Sequence, residues 1–171
     1  TDSAMIIDAM DILYSDKVNG FCIVSSDSDF TRLATRLREA GKQVIGIGEK
    51  KTPNPFIVSC DKFIYIEILK KKSNKVENEG KNITKEVDDK ITKKEIKLIA
   101  TTIDAVSDDD GWAFLGDVGS LIQKKQPNFD SRNYGFEKLT PLIKSIGDFE
   151  IEQRENTKSR HKLIFVRNLN N

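Results

Sequence analysis

Histidine, cysteine and long apolar runs are scarce in this 171-residue chain, which has one His and two Cys, Cys22 and Cys60, with no CxxC pair. A zinc site draws on several clustered nitrogen or sulfur ligands and a disulfide framework on many cysteines, so neither is expected. The same scarcity fits a reducing, cytoplasmic-type compartment. No apolar stretch approaches the ~18 residues that a membrane-spanning helix needs, and no secretory leader pattern is seen, so no membrane partner is expected. A dominant charge is missing too. Lys and Arg total 28 against 27 Asp and Glu, a net charge of +1, so any contact with a polyanion must come from a local patch. The chain opens at Thr1 inside a helical pattern, so upstream sequence is expected.

What is present is a composition of 37% hydrophobic and 32% charged residues, typical of a globular protein. Between Leu69 and Ile96 the text reads KKKSNKVENEGKNITKEVDDKITKKE, with too few apolar residues to build a core. Residues 70–96 are therefore expected to be a charged linker between an N-terminal unit, 1–69, and a C-terminal unit, 97–171. The only basic excess lies in this tether, where Lys70, Lys71 and Lys72 read as a solvated run, against the alternative of an accessory phosphate contact.

In the first unit Met5, Ile6, Ala9, Ile12 and Leu13 recur at helical spacing, predicting an amphipathic helix over residues 3–15. FCIVSS is a short, almost wholly apolar run, as expected of a strand covered on both faces of a parallel sheet. Phe30, Leu33, Ala34 and Leu37 mark the next helix, with Arg32, Arg36 and Arg38 turned outward and Gly41 placed to end it. QVIGIG reads as a strand, Thr52-Pro53 as a helix start, and KFIYIEIL as a final strand. Helix and strand alternate, which predicts an open α/β fold with parallel strands and right-handed crossovers. A further strand before residue 1 is expected.

In such sheets the ligand site lies beyond the carboxyl ends of the strands, and there the sequence places Asp27 and Asp29. One acid is accounted for as a cap on the following helix. Two carboxylates so close repel each other unless a cation neutralises them, so a metal site competes with the capping reading. On a helical wheel at ~100° per residue, Asp2 aligns with Ile6, Ala9 and Leu13, the stripe that faces the sheet. Three hard oxygen ligands without His or Cys suit Mg²⁺ or Mn²⁺, which can activate water for phosphodiester hydrolysis. Asp8 and Asp61 read more simply as structural residues, Asp61 closing a turn after Cys60.

The stretch from DSAMIIDAMDILYS through SSDSDF, LREAGKQVIGIG and CDKFIYIE resembles the NYN domain of the PIN-like nuclease superfamily, in its bacterial LabA-like branch. The resemblance covers nearly all of the first unit. It implies a Rossmann-like (PIN-like) parallel sheet and a Mg²⁺- or Mn²⁺-dependent ribonuclease site in which Asp2, Asp27 and Asp29 are the catalytic metal ligands. Ser25 and Ser26 match the small polar positions beside them, as hydrogen-bonding neighbours. The family's first strand supplies another acid, and no residue here corresponds to it. Lys50 and Lys51, in the loop GEKKTPNP that opens on the same crevice, are candidates for holding a substrate phosphate.

In the second unit Ile96, Ile99, Ala100, Ile103 and Val106 make one helix face. A second helix is expected over WAFLGDVGSLIQKKQP and a third over about 133–145, followed by a hairpin of FEIEQ and KLIFVRN around RENTKSRH. Three helices and a hairpin predict a small α+β winged-helix domain, a fold that often grips nucleic acid. GW, LGDVGSLI, PNFDSRNYGFEKLTPLI and DFEIE together resemble the LOTUS domain, also called OST-HTH. That resemblance implies binding of single-stranded or structured RNA, or docking of a protein partner. The phosphate-contact candidates are Lys124, Lys125, Arg132, Lys138, Arg154, Lys158, Arg160 and Lys162, against the plain reading of each as solvated surface. Tyr134 is either a base-stacking ring or a core residue. The combined expectation is a metal-dependent endoribonuclease with an RNA-tethering module. The competing expectations are a noncatalytic RNA-binding regulator and a protein-docking adaptor with a vestigial nuclease site.

Overall fold

The structure, a computed structural model, describes residues 2–69, 91–155 and 162–170. It divides into two compact units, residues 1–82 with 126–128, and residues 83–125 with 129–171.

The first unit opens with helix α1 (Asp2–Ser15), in which Ile6, Ala9, Met10 and Leu13 turn to the core. Met5 and Ile12, expected on the inner face, stay exposed at 36% and 45% because they lie on the flank of the Leu13 stripe. Strands β1 (Gly20–Val24), β2 (Gln43–Gly48) and β3 (Lys62–Tyr65) pair in parallel in the order β1-β2-β3. Helices α2 (Thr31–Glu39) and α3 (Asn54–Ser59) make the crossovers between them. The parallel pairing is the one the alternating pattern predicts.

Two expectations are corrected. FCIVSS is not covered on both faces. Ile23 is buried while Cys22 and Val24 are exposed, because the pleat sends alternate side chains to opposite faces and only one of these holds the core. The final strand also stops early. Tyr65 pairs with Gly48, the last residue of β2, and residues 66–69 turn helical once no ladder partner remains.

Packing on the core face requires glycine in β2. A Cβ at Gly46 would stand 2.5 Å from Cδ2 of Phe63, whose ring crosses the strand there. Helix α2 buries Leu33, Ala34 and Leu37 and is followed by Gly41 at φ 77°, the left-handed stop expected after it. Asp61 closes the start of β3: it accepts from the Val44 amide at 2.8 Å, and its own amide donates to the Val44 carbonyl at 2.9 Å. Arg38, exposed as expected, pairs with Asp61 at 2.9 Å.

The second unit begins with α4 (Lys93–Val106), so residues 93–96 are the first turn of a helix and not tether. Thr92 and Glu95 form a capping box that satisfies its first amides. Strand β4 (Trp112–Phe114) and helix α5 (Leu115–Lys125) replace the single helix expected there, because Trp112–Phe114 pair with the last strand. The expected helix over 133–145 is likewise divided. A 3-10 turn, Ser131–Tyr134, ends at Gly135 with φ 84°, and α6 (Leu139–Ile146) follows.

Strands β5 (Phe149–Glu155) and β6 (Lys162–Asn168) form the predicted antiparallel hairpin, and the sheet order is β4-β6-β5. Ile99, Ile103, Val118, Ile122, Leu142, Ile143 and Val166 are completely buried in a single core. Among the described residues no helix is long and apolar enough to cross a membrane.

Trp112 is the only tryptophan, so its fluorescence reports on this second unit. Ile103→Ala deletes fully buried methyl groups, and the expected cost is about 2–5 kcal/mol. Urea unfolding followed at Trp112 measures it, and an unchanged midpoint would show that the core is misassigned.

Candidate active site and nucleic-acid surface

The acidic loop grows directly out of β1. The Ser25 amide donates to the Ile47 carbonyl at 2.9 Å, which carries the β1–β2 ladder one residue past the strand. The Ser25 hydroxyl then accepts from the Asp27 amide at 3.1 Å. Asp27, in an extended conformation, accepts from the Asp29 amide at 3.0 Å and so caps the 3-10 turn Ser28–Phe30. Phe30, 4% exposed, pins the far end of that turn in the core. Both carboxylates face solvent, and neither is ion-paired among the described residues. Capping and cation binding are therefore compatible: the cap uses one oxygen of Asp27 and leaves the other, together with the Asp29 carboxylate, as hard anionic donors.

Asp2 does not join them. It is exposed at the first residue of α1, and among the described residues no group of three or more His, Cys, Asp or Glu is placed to hold a metal ion. The helical wheel assigns Asp2 a direction around the axis but no position along it, and α1 is buried toward its Leu13 end. What remains at the carboxyl end of β1 is a pair of carboxylates. That donor set fits Mg²⁺, which is commonly held by one or two carboxylates together with water and substrate phosphate oxygens.

The neighbouring loop is tied to the same end of the sheet. Ser26 accepts from the Glu49 amide at 2.9 Å, and Glu67, just past β3, accepts from the Lys50 amide at 3.1 Å. Lys51 pairs with Glu49 at 2.6 Å, and that contact raises its pKa through the hydrogen bond and the adjacent negative charge. Glu67 is not among the candidates that the sequence offers for this end of the sheet. The signal for Glu67 was its place at the carboxyl end of a strand in a parallel sheet.

In the second unit the basic candidates divide by environment. Lys124, Lys138 and Lys162 are exposed. Lys125 donates to the Thr102 hydroxyl at 3.1 Å. Arg132 is held by both oxygens of Asp130, at 2.9 and 2.5 Å, and its charge is satisfied within the fold. The Arg154 guanidinium lies 4.4 Å from the Phe165 ring centroid and 5.3 Å from that of Trp112, and pairs with Glu152 at 3.1 Å. Lys158 and Arg160 fall outside the described residues. Tyr134 takes the core alternative. It is 7% exposed, packs against Phe129, and donates its hydroxyl to Glu95 at 2.6 Å, so its ring is not offered to a base.

Cys60 is 1% exposed and donates to the Phe56 carbonyl at 3.4 Å, and burial pushes its thiol up to about 11 from an ordinary 9.0. A raised folded-state value means that the stability tied to the neutral thiol is fully present below pH 9.0 and is lost as pH rises toward about 11. Cys22 is exposed. At pH 8 a disulfide-exchange reagent is expected to titrate one thiol in the native protein and two after denaturation. Two fast-reacting native thiols would contradict this packing.

Residues 1–67 match the model of the NYN domain, and residues 86–161 match that of the OST-HTH/LOTUS domain. No curated protein matches the chain. Two solved structures are similar to parts of it. One is a solution NMR structure of an uncharacterized protein from Nitrosomonas europaea, 34% identical with a TM-score of 0.40, covering 53% of this chain and 90% of that one. The other is a solution NMR structure of residues 175–257 of a protein from Chromobacterium violaceum, 29% identical with a TM-score of 0.36, covering 44% of this chain and 79% of that one.

Proposed function

Because the chain carries an NYN domain followed by an OST-HTH/LOTUS domain, we propose that it is a metal-dependent endoribonuclease whose C-terminal domain holds the RNA substrate. The observation that carries this reading is the pair Asp27 and Asp29, solvent-facing at the carboxyl end of a parallel strand, with their amides bonded to the Ser25 hydroxyl and the Asp27 carboxylate. Asp27 and Asp29 are the residues that would hold Mg²⁺ or Mn²⁺, with Ser25 keeping the loop in place. When bound, such an ion supplies a nucleophilic water at neutral pH and charge stabilisation for phosphodiester cleavage. The protein's own contribution is rigid placement. A preset pair of carboxylates incurs little reorganisation when the scissile phosphate arrives.

The exposed cations Lys124, Lys138 and Lys162 are the phosphate contacts that best fit the second domain, because among the described residues their charges are not engaged as those of Arg132 and Arg154 are. Tethering a weak RNA binder to the hydrolytic domain raises the effective substrate concentration. A second reading, a noncatalytic RNA-binding regulator, is favoured by one observation: among the described residues no group of three or more His, Cys, Asp or Glu is placed to hold a metal ion.

The two readings separate in one experiment with the full chain and a single-stranded RNA. Wild type with Mn²⁺ is expected to cleave it. Asp27→Asn is expected to lose more than the ~10–100-fold that changes around a metal's ligands cost, because one ligand itself is weakened. Asparagine can still accept from the Asp29 amide, so the melting temperature should hold. RNA binding in chelator should be equal for the two proteins. Binding without any metal-dependent cleavage would replace this reading with the second one.

A further inference from the structure

The backbone of Glu49 is held on both sides. Its amide donates to the Ser26 hydroxyl at 2.9 Å, and its carbonyl accepts from the Thr52 amide at 2.9 Å and the Thr52 hydroxyl at 2.6 Å. Thr52 is one of few buried polar side chains, 5% exposed, so its hydroxyl needs that partner. Next to it, a Cβ at Gly48 would lie 2.5 Å from the Ser25 carbonyl oxygen, 2.7 Å from the Thr52 hydroxyl and 2.9 Å from Cζ of Phe63. Backbone from the β1 end, hydroxyl from the β2–α3 loop and ring from β3 thus meet where Gly48 has no side chain. From Ser25 the contacts continue to the Asp27 amide, and from the Asp27 carboxylate to the Asp29 amide.

We infer that Thr52 and Gly48 are positioning residues for the Asp27–Asp29 loop: Thr52 acts through the Glu49 backbone and Ser26, and Gly48 by leaving room for the Ser25 backbone. The inference rests on the ribonuclease reading only for what the two carboxylates bind. A turn that merely closes before Pro53 would explain the Thr52 hydrogen bonds equally well, but it would leave the acidic loop indifferent to their loss.

The test uses the full chain with Thr52→Val, which keeps the shape and removes the hydroxyl, Thr52→Ser, which keeps the hydroxyl, and Gly48→Ala. Residue-resolved amide exchange reads the loop directly. In Thr52→Val, exchange at Asp27 and Asp29 is expected to rise about tenfold, as for the loss of one buried hydrogen bond, with Ile45 and Ile47 in β2 unchanged. Thr52→Ser should match wild type. Calorimetric titration with Mn²⁺ should show affinity weakened about tenfold in Thr52→Val, the scale of outer-shell effects. Exchange that rises equally at Ile47 and Asp29, or does not rise at Asp29, overturns the inference. If Gly48→Ala fails to fold, Thr52→Val carries the test alone. If wild type takes up no Mn²⁺, the ribonuclease reading falls, and the exchange measurement still decides whether Thr52 holds the loop.

Discussion

The first unit depends on how closely two strand ends can approach. Where β1 and β2 finish, the Ser25 carbonyl, the Thr52 hydroxyl and the Phe63 ring crowd a single α-carbon that carries no side chain, at Gly48. Two strand positions earlier Gly46 performs the same service for the Phe63 ring. Each glycine weakens a strand's local preference, and each is needed because a side chain there would meet the Phe63 ring and, at Gly48, the Ser25 carbonyl as well. The acidic loop starts from this point, since its first residue is still part of the β ladder.

The second unit has a comparable focal point at Glu95. One oxygen of its carboxylate accepts from the Thr92 amide and hydroxyl, at 2.7 and 2.8 Å, and the other from the Tyr134 hydroxyl at 2.6 Å. A local helix cap is thereby joined to a residue 39 positions away. Charge-assisted bonds of this kind are stronger than neutral ones, and this one lets Tyr134 bury its ring without stranding its hydroxyl. On the sheet, Arg154 lies over Phe165 and Trp112, Arg167 over Trp112, and Glu152 and Glu150 pair with the two arginines. The charges nearest this aromatic surface are thus satisfied within the fold.

Several features were legible because they are local. The helix stop at Gly41 needs only a left-handed residue after an apolar repeat, and the turn-closing role of Asp61 needs only its place before a strand. That one of the two acids caps a helical turn is read from their place beside it, and the structure gives the role to Asp27. The capping box TKKE, residues 92–95, was equally local, and the charge of the surrounding tether obscured it. Other features were not legible, because they depend on a distant partner. Trp112–Phe114 have the look of a helix start until β6 offers a ladder, and residues 66–69 have the look of a strand until β2 runs out.

By itself, the sequence determined the two-unit division, the parallel and antiparallel strand pairings, and the location of Asp27 and Asp29 at a strand's carboxyl end. Hydrophobic period, turn residues and chain order suffice for these. Only the tertiary structure decided that Asp2 stays exposed, that Tyr134 belongs to the core, and that Arg132 and Arg154 are engaged within the fold. The physical reason is the same in each case. Periodicity specifies the face on which a side chain lies, whereas the distance to its partner depends on how separate elements pack, and short-range bonds form or fail on differences of an ångström or two.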